Sequence, residues 1–231
     1  RLTQQGAPFA VPGNQLYLPE FAIDLREHFR APKPGGGDRL SPAAQAVLFD
    51  HILGHDETGG RPSQIAERLG YSAMSVGRAF DDLAAAGLAQ VETRGKSKFL
   101  VFASEGRKLL DDATPRLRSP VRSLKYVAGR NPDGFLKKAG ESALALLSDL
   151  GAPDQDVFAV AAGDWQAVAQ RFGFEETEGY AAEFQIESWS YDPAGLSSTN
   201  TVDPLSLYAQ FHDHADERVA MVAKDIVRNI V

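Results

Sequence analysis

Arg78, Arg94, Lys96 and Lys98, with Ser63, Ser72 and Ser75 near them, have the types and spacing that point most directly to a chemistry. A guanidinium can donate two parallel hydrogen bonds to the edge of a guanine or to a phosphate. Serine hydroxyls at helix starts can donate to phosphates, aided by the positive end of the helix. Cations grouped at 94, 96 and 98 suit the backbone or minor groove of a polyanion. The plainer readings are an Arg78 paired with Asp81 or Asp82 on a helix surface, and a solvated hairpin tip. Other chemistries find less support. His51 and His55 stand four apart and His212 and His214 two apart, yet neither pair has a cysteine or an obvious third ligand beside it. Ordinary surface or helix-end histidines are the simpler expectation. Gly35–Gly37 lacks the Lys-Ser/Thr that a phosphate loop requires, and no Ser-His-Asp constellation is evident. No catalytic residue, metal or other cofactor is expected.

Gly140, Ser142, Asp154 and Asp156 form a second candidate set. A Gly-x-Ser near a helix start, followed by Asp-x-Asp on a strand, looks like a nucleotidyltransferase signature. In such enzymes the glycine and serine hold phosphate and paired carboxylates hold Mg²⁺. Glu183 or Glu187 would have to supply a third carboxylate, and Glu141 places negative charge where the phosphate would lie. A polar turn before a strand is the competing reading and the favoured one.

These side chains need elements to position them. Phe9–Val11 and Gln15–Leu18 read as short extended pieces around a Pro-Gly-Asn turn, and Glu20–Phe29 as a short helix. Proline and glycine dominate 31–38, which marks a linker. Ser41-Pro42 caps and opens a helix with Val47, Leu48, Phe49 and Ile52 as its apolar stripe, ending by Gly54. His55–Gly60 is a polar loop. Ser63 is expected to cap a short helix carrying Ile65, Ala66 and Leu69, and Gly70 to end it. Ser72 caps the next, with Val76, Phe80 and Leu83 at helical spacing and Gly87 as the stop. With one face so held, Ala73, Met74, Ser75, Gly77 and Arg78 are expected to face outward. Leu88–Glu92 and Phe99–Phe102 read as a hairpin, and Ser104 as the cap of a helix to about Ala113. Further on, 135–151 reads as a helix, Val157–Ala162 as a buried strand and Asp164–Phe172 as a helix. Ala182–Tyr191 reads as a strand, and Asp203-Pro204 opens a final helix or helix pair.

Charge is distributed unevenly. The net value of −7 conceals +6 over residues 61–130 and −11 over 131–231. Such an asymmetry suggests a basic binding module joined to an acidic one, because salt screens charges beyond about 8 Å. A 43% apolar, 24% charged composition is that of a globular chain, and no apolar run reaches the roughly 18 residues of a membrane span. The absence of cysteine excludes disulfides and thiolate metal sites, and no secretion signal is evident. A cytoplasmic location without membrane contact is expected. The chain opens on Arg1 rather than Met, which suggests a fragment.

Pro62–Ala89, PSQIAERLGYSAMSVGRAFDDLAAAGLA, resembles the winged helix-turn-helix of MarR-type bacterial regulators, including the Gly87-Leu88 exit into a strand. Ala66, Gly70, Val76 and Leu83 carry the pattern. The resemblance implies that Ser63, Ser72, Ala73, Met74, Ser75, Arg78, Arg94, Lys96 and Lys98 meet DNA, with the second helix in the major groove. The C-terminal half resembles antitoxins of abortive-infection (type IV) toxin–antitoxin systems, through the Gly-x-Ser-Ala-Leu helix at 140–144 and the segments Val202–Tyr208 and Asp216–Val219. That implies a regulator whose second domain meets a protein partner. The expected architecture is α+β: a small N-terminal α/β piece with its linker at 1–38, a winged helix at 39–122, and an acidic α/β domain at 123–231 whose fold could be nucleotidyltransferase-like. The expected function is sequence-specific binding of double-stranded DNA in transcriptional regulation, as a homodimer. A nucleotidyltransferase with an appended winged helix and a protein-interaction adaptor are the alternatives.

Overall fold

The structure, a computed structural model, describes residues 9–11, 15–18, 23–26, 39–55, 61–95, 97–228 and 230. The chain divides into two compact units, Arg1–Gly36 and Gly37–Val231, and the fold is mixed α+β. In the first unit β1 (Phe9–Val11), β2 (Gln15–Leu18) and β3 (Ile23–Arg26) form an antiparallel sheet in that order. The helix expected over Glu20–Phe29 is therefore corrected to a strand at Ile23–Arg26, the rest of that range lying outside the described residues, and the described part of this unit is β rather than α/β. Ile23-Asp-Leu-Arg alternates with period two, and Leu16 and Leu18 stand opposite Leu25 and Ile23. The Pro-Gly-Asn turn and the 31–38 linker lie outside the described residues.

The second unit opens with α1 (Pro42–Ile52), capped by Ser41, whose Oγ accepts from the N–H of Ala44. Residues 44 to 50 of this helix are buried without a break, Gln45 and Asp50 included, so it is a central helix rather than a surface one with a stripe. α2 (Pro62–Arg68) and α3 (Ala73–Ala85) pack with it through Ile65, Ala66, Leu69, Val76, Phe80 and Leu83. The hairpin β4 (Ala89–Arg94) and β5 (Ser97–Phe102) follows, then α4 (Gly106–Ala113) and a 3-10 turn at Thr114–Arg116. Two caps differ from expectation. The cap of α2 is Arg61, because Pro62, with its fixed φ and missing N–H, takes the first helical position and leaves Ser63 inside. The cap of α4 is Glu105, while Ser104 Oγ donates to Asp112 Oδ2 at 3.2 Å.

A five-stranded sheet occupies the C-terminal part, in the order β7 (Lys137–Lys138), β8 (Asp156–Ala161), β10 (Phe184–Trp189), β6 (Val121–Ala128), β9 (Glu175–Glu176). β8 and β10 are parallel and the other pairs antiparallel. The helix expected over 135–151 shrinks to α5 (Gly140–Leu147), because Lys137 and Lys138 pair with β8 as an edge strand. β6 has no counterpart among the expected elements. α6 (Trp165–Phe172) covers one sheet face over Phe158, Val160, Ile186 and Val127. On the other face Val157, Ala159 and Trp189 join Ala143 and Leu144 of α5 and Leu205 of α7 (Pro204–Phe211). α8 (Glu217–Asp225) closes the chain.

That second face belongs to the same apolar core as α1, α3 and α4, so one core takes residues from both sides of residue 122. A buried polar chain accompanies it. The Gln45 amide donates to the carbonyl of Arg118 at 2.9 Å and to Tyr191 Oη at 3.4 Å, and accepts from the N–H of Arg118 at 2.9 Å. Tyr191 Oη lies 2.8 Å from Ser206 Oγ, and Asp203 caps α7 by accepting from the Ser206 N–H at 2.8 Å.

Burial pushes the Asp203 carboxyl up to about 6, and the carboxyl of Glu187 is raised by the same cause. Both acids hold a proton more tightly folded than unfolded, so Asp203 adds native stability as pH falls from 7 through 6 and gives it up on return, and Glu187 acts in the same direction. Denaturant unfolding should give about 1 kcal/mol more stability from Asp203 at pH 5 than at pH 7. Asp203→Asn, which can still cap, should flatten that rise; equal wild-type stability at both pH values refutes the prediction.

Candidate functional site

Gly70, at φ +68, makes the tight turn that lets α3 leave α2. Ser72 then caps α3, its Oγ accepting from the Ser75 N–H at 3.1 Å and standing 2.9 Å from Ser75 Oγ. Val76, Ala79, Phe80 and Leu83 are buried, and Asp82 Oδ2 accepts from the backbone N–H of Ser41 at 2.8 Å, fixing α3 to the start of α1. The opposite face presents Ser72, Ala73, Met74 and Arg78 to solvent, with Ser75 and Gly77 half-buried between them. Ser75 and Gly77 thus sit deeper than the outward position expected for them.

Arg78 pairs with neither Asp81 nor Asp82. Its Nη2 lies 3.6 Å from Met74 Sδ, and it has no carboxylate partner among the described residues. Asp81 is 3.7 Å from Lys98 Nζ, which brings β5 to the exposed face of α3. Ser63 is exposed in the first turn of α2. Lys96 and the side chain of Arg94 lie outside the described residues. Arg61, absent from the expected set, lies over the Phe99 ring at 5.7 Å and adds a cation where α2 meets β5. Its position just before Pro62, at a helix start, was the available signal.

Several cations of the basic segment are engaged internally. Arg68 makes two bonds to the buried Asp50, at 2.7 and 2.5 Å, with His55 Nδ1 3.6 Å from the same carboxylate. Arg107 pairs with Asp111, Lys108 with Asp112 and Lys125 with Glu176. The pairs of Arg68 and Lys125 with Asp50 and Glu176, which lie outside 61–130, reduce the charge available to a partner below the +6 of that segment.

Around the second candidate set the geometry is that of a fold joint. Ser142 Oγ accepts from the Val157 N–H at 2.9 Å and donates to Asp156 Oδ1 at 3.4 Å, while Lys138 Nζ sits 2.8 Å from that same oxygen. Asp154 is exposed. Glu183 is turned to the N–H of Gly129 at 2.9 Å, and Glu187 is buried, accepting from Trp189 Nε1 and Gln210 Nε2 at 2.8 and 2.7 Å. The four carboxylates do not converge, and no metal-holding group of three His, Asp or Glu occurs among the described residues. The histidines have local roles: His51 stacks on Phe102, His212 Nδ1 meets the carbonyl of Tyr208, and His214 accepts from the N–H of Asp216. Among the described residues no helix is long and apolar enough to cross a membrane.

Comparison of the chain with family models, curated proteins and solved structures gives no match.

Gly140 has φ +51, and a Cβ there would stand 2.9 Å from Glu187 Oε1 and 3.0 Å from Val157 Cγ1. Gly140→Ala should cost about 2 kcal/mol or more in chemical denaturation, from backbone strain plus contact. Gly163→Ala, where an added Cβ meets nothing within 4 Å, is the control. Matching losses at the two positions would show that the contact at α5 is not the cause.

Proposed function

We propose that α1 to β5 forms a winged helix-turn-helix that binds double-stranded DNA, with α3 in the major groove, and that the protein acts in transcriptional control. The observation that carries this reading is the outer face of α3: small residues, one exposed arginine with no acidic partner among the described residues, and a capped N-terminus, on a helix held rigidly from behind. A two-stranded hairpin follows α3 directly, as the wing would, with Lys98 beside the helix and Arg61 over Phe99 of the hairpin. The resemblance of Pro62–Ala89 to MarR-type regulators supports the same reading. Ser142 and Asp156 are committed to Val157 and Lys138, which favours DNA binding over nucleotide transfer.

Under this proposal the protein works as a homodimer on paired half-sites, since two α3 helices reading two half-sites multiply specificity. The C-terminal part, at −11, stays clear of the phosphates and serves a protein partner, as the antitoxin resemblance implies.

Selection of bound sites from random duplexes, followed by fluorescence anisotropy, tests the proposal. Arg78→Ala should weaken the selected duplex by about 1 to 3 kcal/mol and leave a random duplex nearly unchanged. Lys98→Ala should weaken both alike and reduce the salt dependence by about one counterion. Failure to enrich any sequence would overturn the assignment.

A further inference from the structure

Met74 is 68% exposed in the first turn of α3, where its long apolar side chain is open to a partner. Ala73, Ser75 and Gly77 beside it are small, so Met74 and Arg78 are the long side chains that project from the first half of this face. They stand four apart, one helical turn, and touch: Arg78 Nη2 lies 3.6 Å from Met74 Sδ. The thioether is unbranched and polarisable, suited to contact with a methyl group. The nearest acid on the face, Asp81, is offset by Lys98.

We infer that Met74 and Arg78 act as one reading unit for a pyrimidine carrying a 5-methyl group next to a guanine in the major groove. This rests on the DNA-binding proposal above and deepens it. Arg78 supplies the bidentate contact to guanine O6 and N7. Met74, in van der Waals contact with that guanidinium, covers the adjoining base pair, since neighbouring pairs are stacked about 3.4 Å apart. The feature an apolar side chain can recognise there is the C5 methyl of thymine, or the same methyl on 5-methylcytosine. Guanine alone would be read by Arg78 with any small residue at 74. An exposed methionine adds discrimination at the neighbouring step.

Site selection should return a pyrimidine–guanine step within the half-site. Anisotropy on four duplexes that differ only at that base pair then isolates the methyl within each comparison: thymine against uracil opposite adenine, and 5-methylcytosine against cytosine opposite guanine. Burial of one methyl should make each methylated duplex bind about fourfold more tightly than its methyl-free counterpart. Both ratios should fall to about one in Met74→Ala, whose exposed position leaves folding intact. Tighter binding of thymine than of 5-methylcytosine assigns the site to unmodified DNA, and the reverse order to methylated DNA. Ratios near one in the wild-type protein, with binding still dependent on Arg78, overturn the methyl reading and leave DNA binding standing. If no duplex is enriched over random sequence, both readings fail together.

Discussion

The buried amide of Gln45 is the constraint on which the rest of the second unit depends. A helix with apolar side chains on every side can slide or rotate at small cost, because dispersion and burial are not directional. Gln45 removes that freedom. Its nitrogen and oxygen both bond to the backbone of Arg118, and its nitrogen also reaches Tyr191. A one-residue slip of α1 would leave these polar groups unpaired in the interior, at about 1 to 3 kcal/mol each. With α1 locked, α3 has a fixed wall for Val76 and Phe80, and its outer face takes a fixed direction.

Asp50 adds a second lock at the other end of α1. Its carboxylate is buried, and Arg68 neutralises it with two bonds from the last turn of α2. A buried pair of this kind contributes less to net stability than to defining geometry, since desolvation opposes the Coulomb gain. The two polar contacts thus divide the labour along one helix. Gln45 sets α1 against the C-terminal part, and Asp50 sets α2 against α1.

Local patterns were legible where the signal lies within a few residues, the caps at Ser63 and Ser104 excepted. Ser41-Pro42, Gly70, Ser72 and Gly87 each act on the adjacent turn, and the period of Val76, Phe80 and Leu83 names its own inner face. What escaped is non-local. Gln45 looks like a surface glutamine until its partner, 73 residues on, is known. β6 mixes polar and apolar residues on both sides of its pleat, Arg122, Ser123, Leu124 and Lys125 giving no period, and exists because β10 pairs along it. Ile23–Arg26 is short enough for either helix or strand, and its partner β2 decides. In the candidate site the exposure of Ala73, Met74 and Arg78 was readable because they lie on one capped helix, while the half-burial of Ser75 and Gly77 was not. The loss of Arg68 to Asp50, the tie of Asp81 to Lys98 and the presence of Arg61 beside Phe99 were hidden, since each requires two elements to meet.

Leu109, Leu110 and Leu117 lie in one core with Trp189, Leu205 and Tyr208, and Thr114 Oγ1 is 3.1 Å from Tyr208 Oη. This continuity bears on modularity. A severed N-terminal portion of the second unit would open an apolar wound rather than end on a finished surface, so it cannot be transplanted like a free-standing cassette. The exposed face of α3 and the five-stranded sheet of the C-terminal part therefore share a single cooperative fate. A mutation that loosens the sheet would blunt α3 without touching it, and natural variation at either end is bound to be judged by the behaviour of the other.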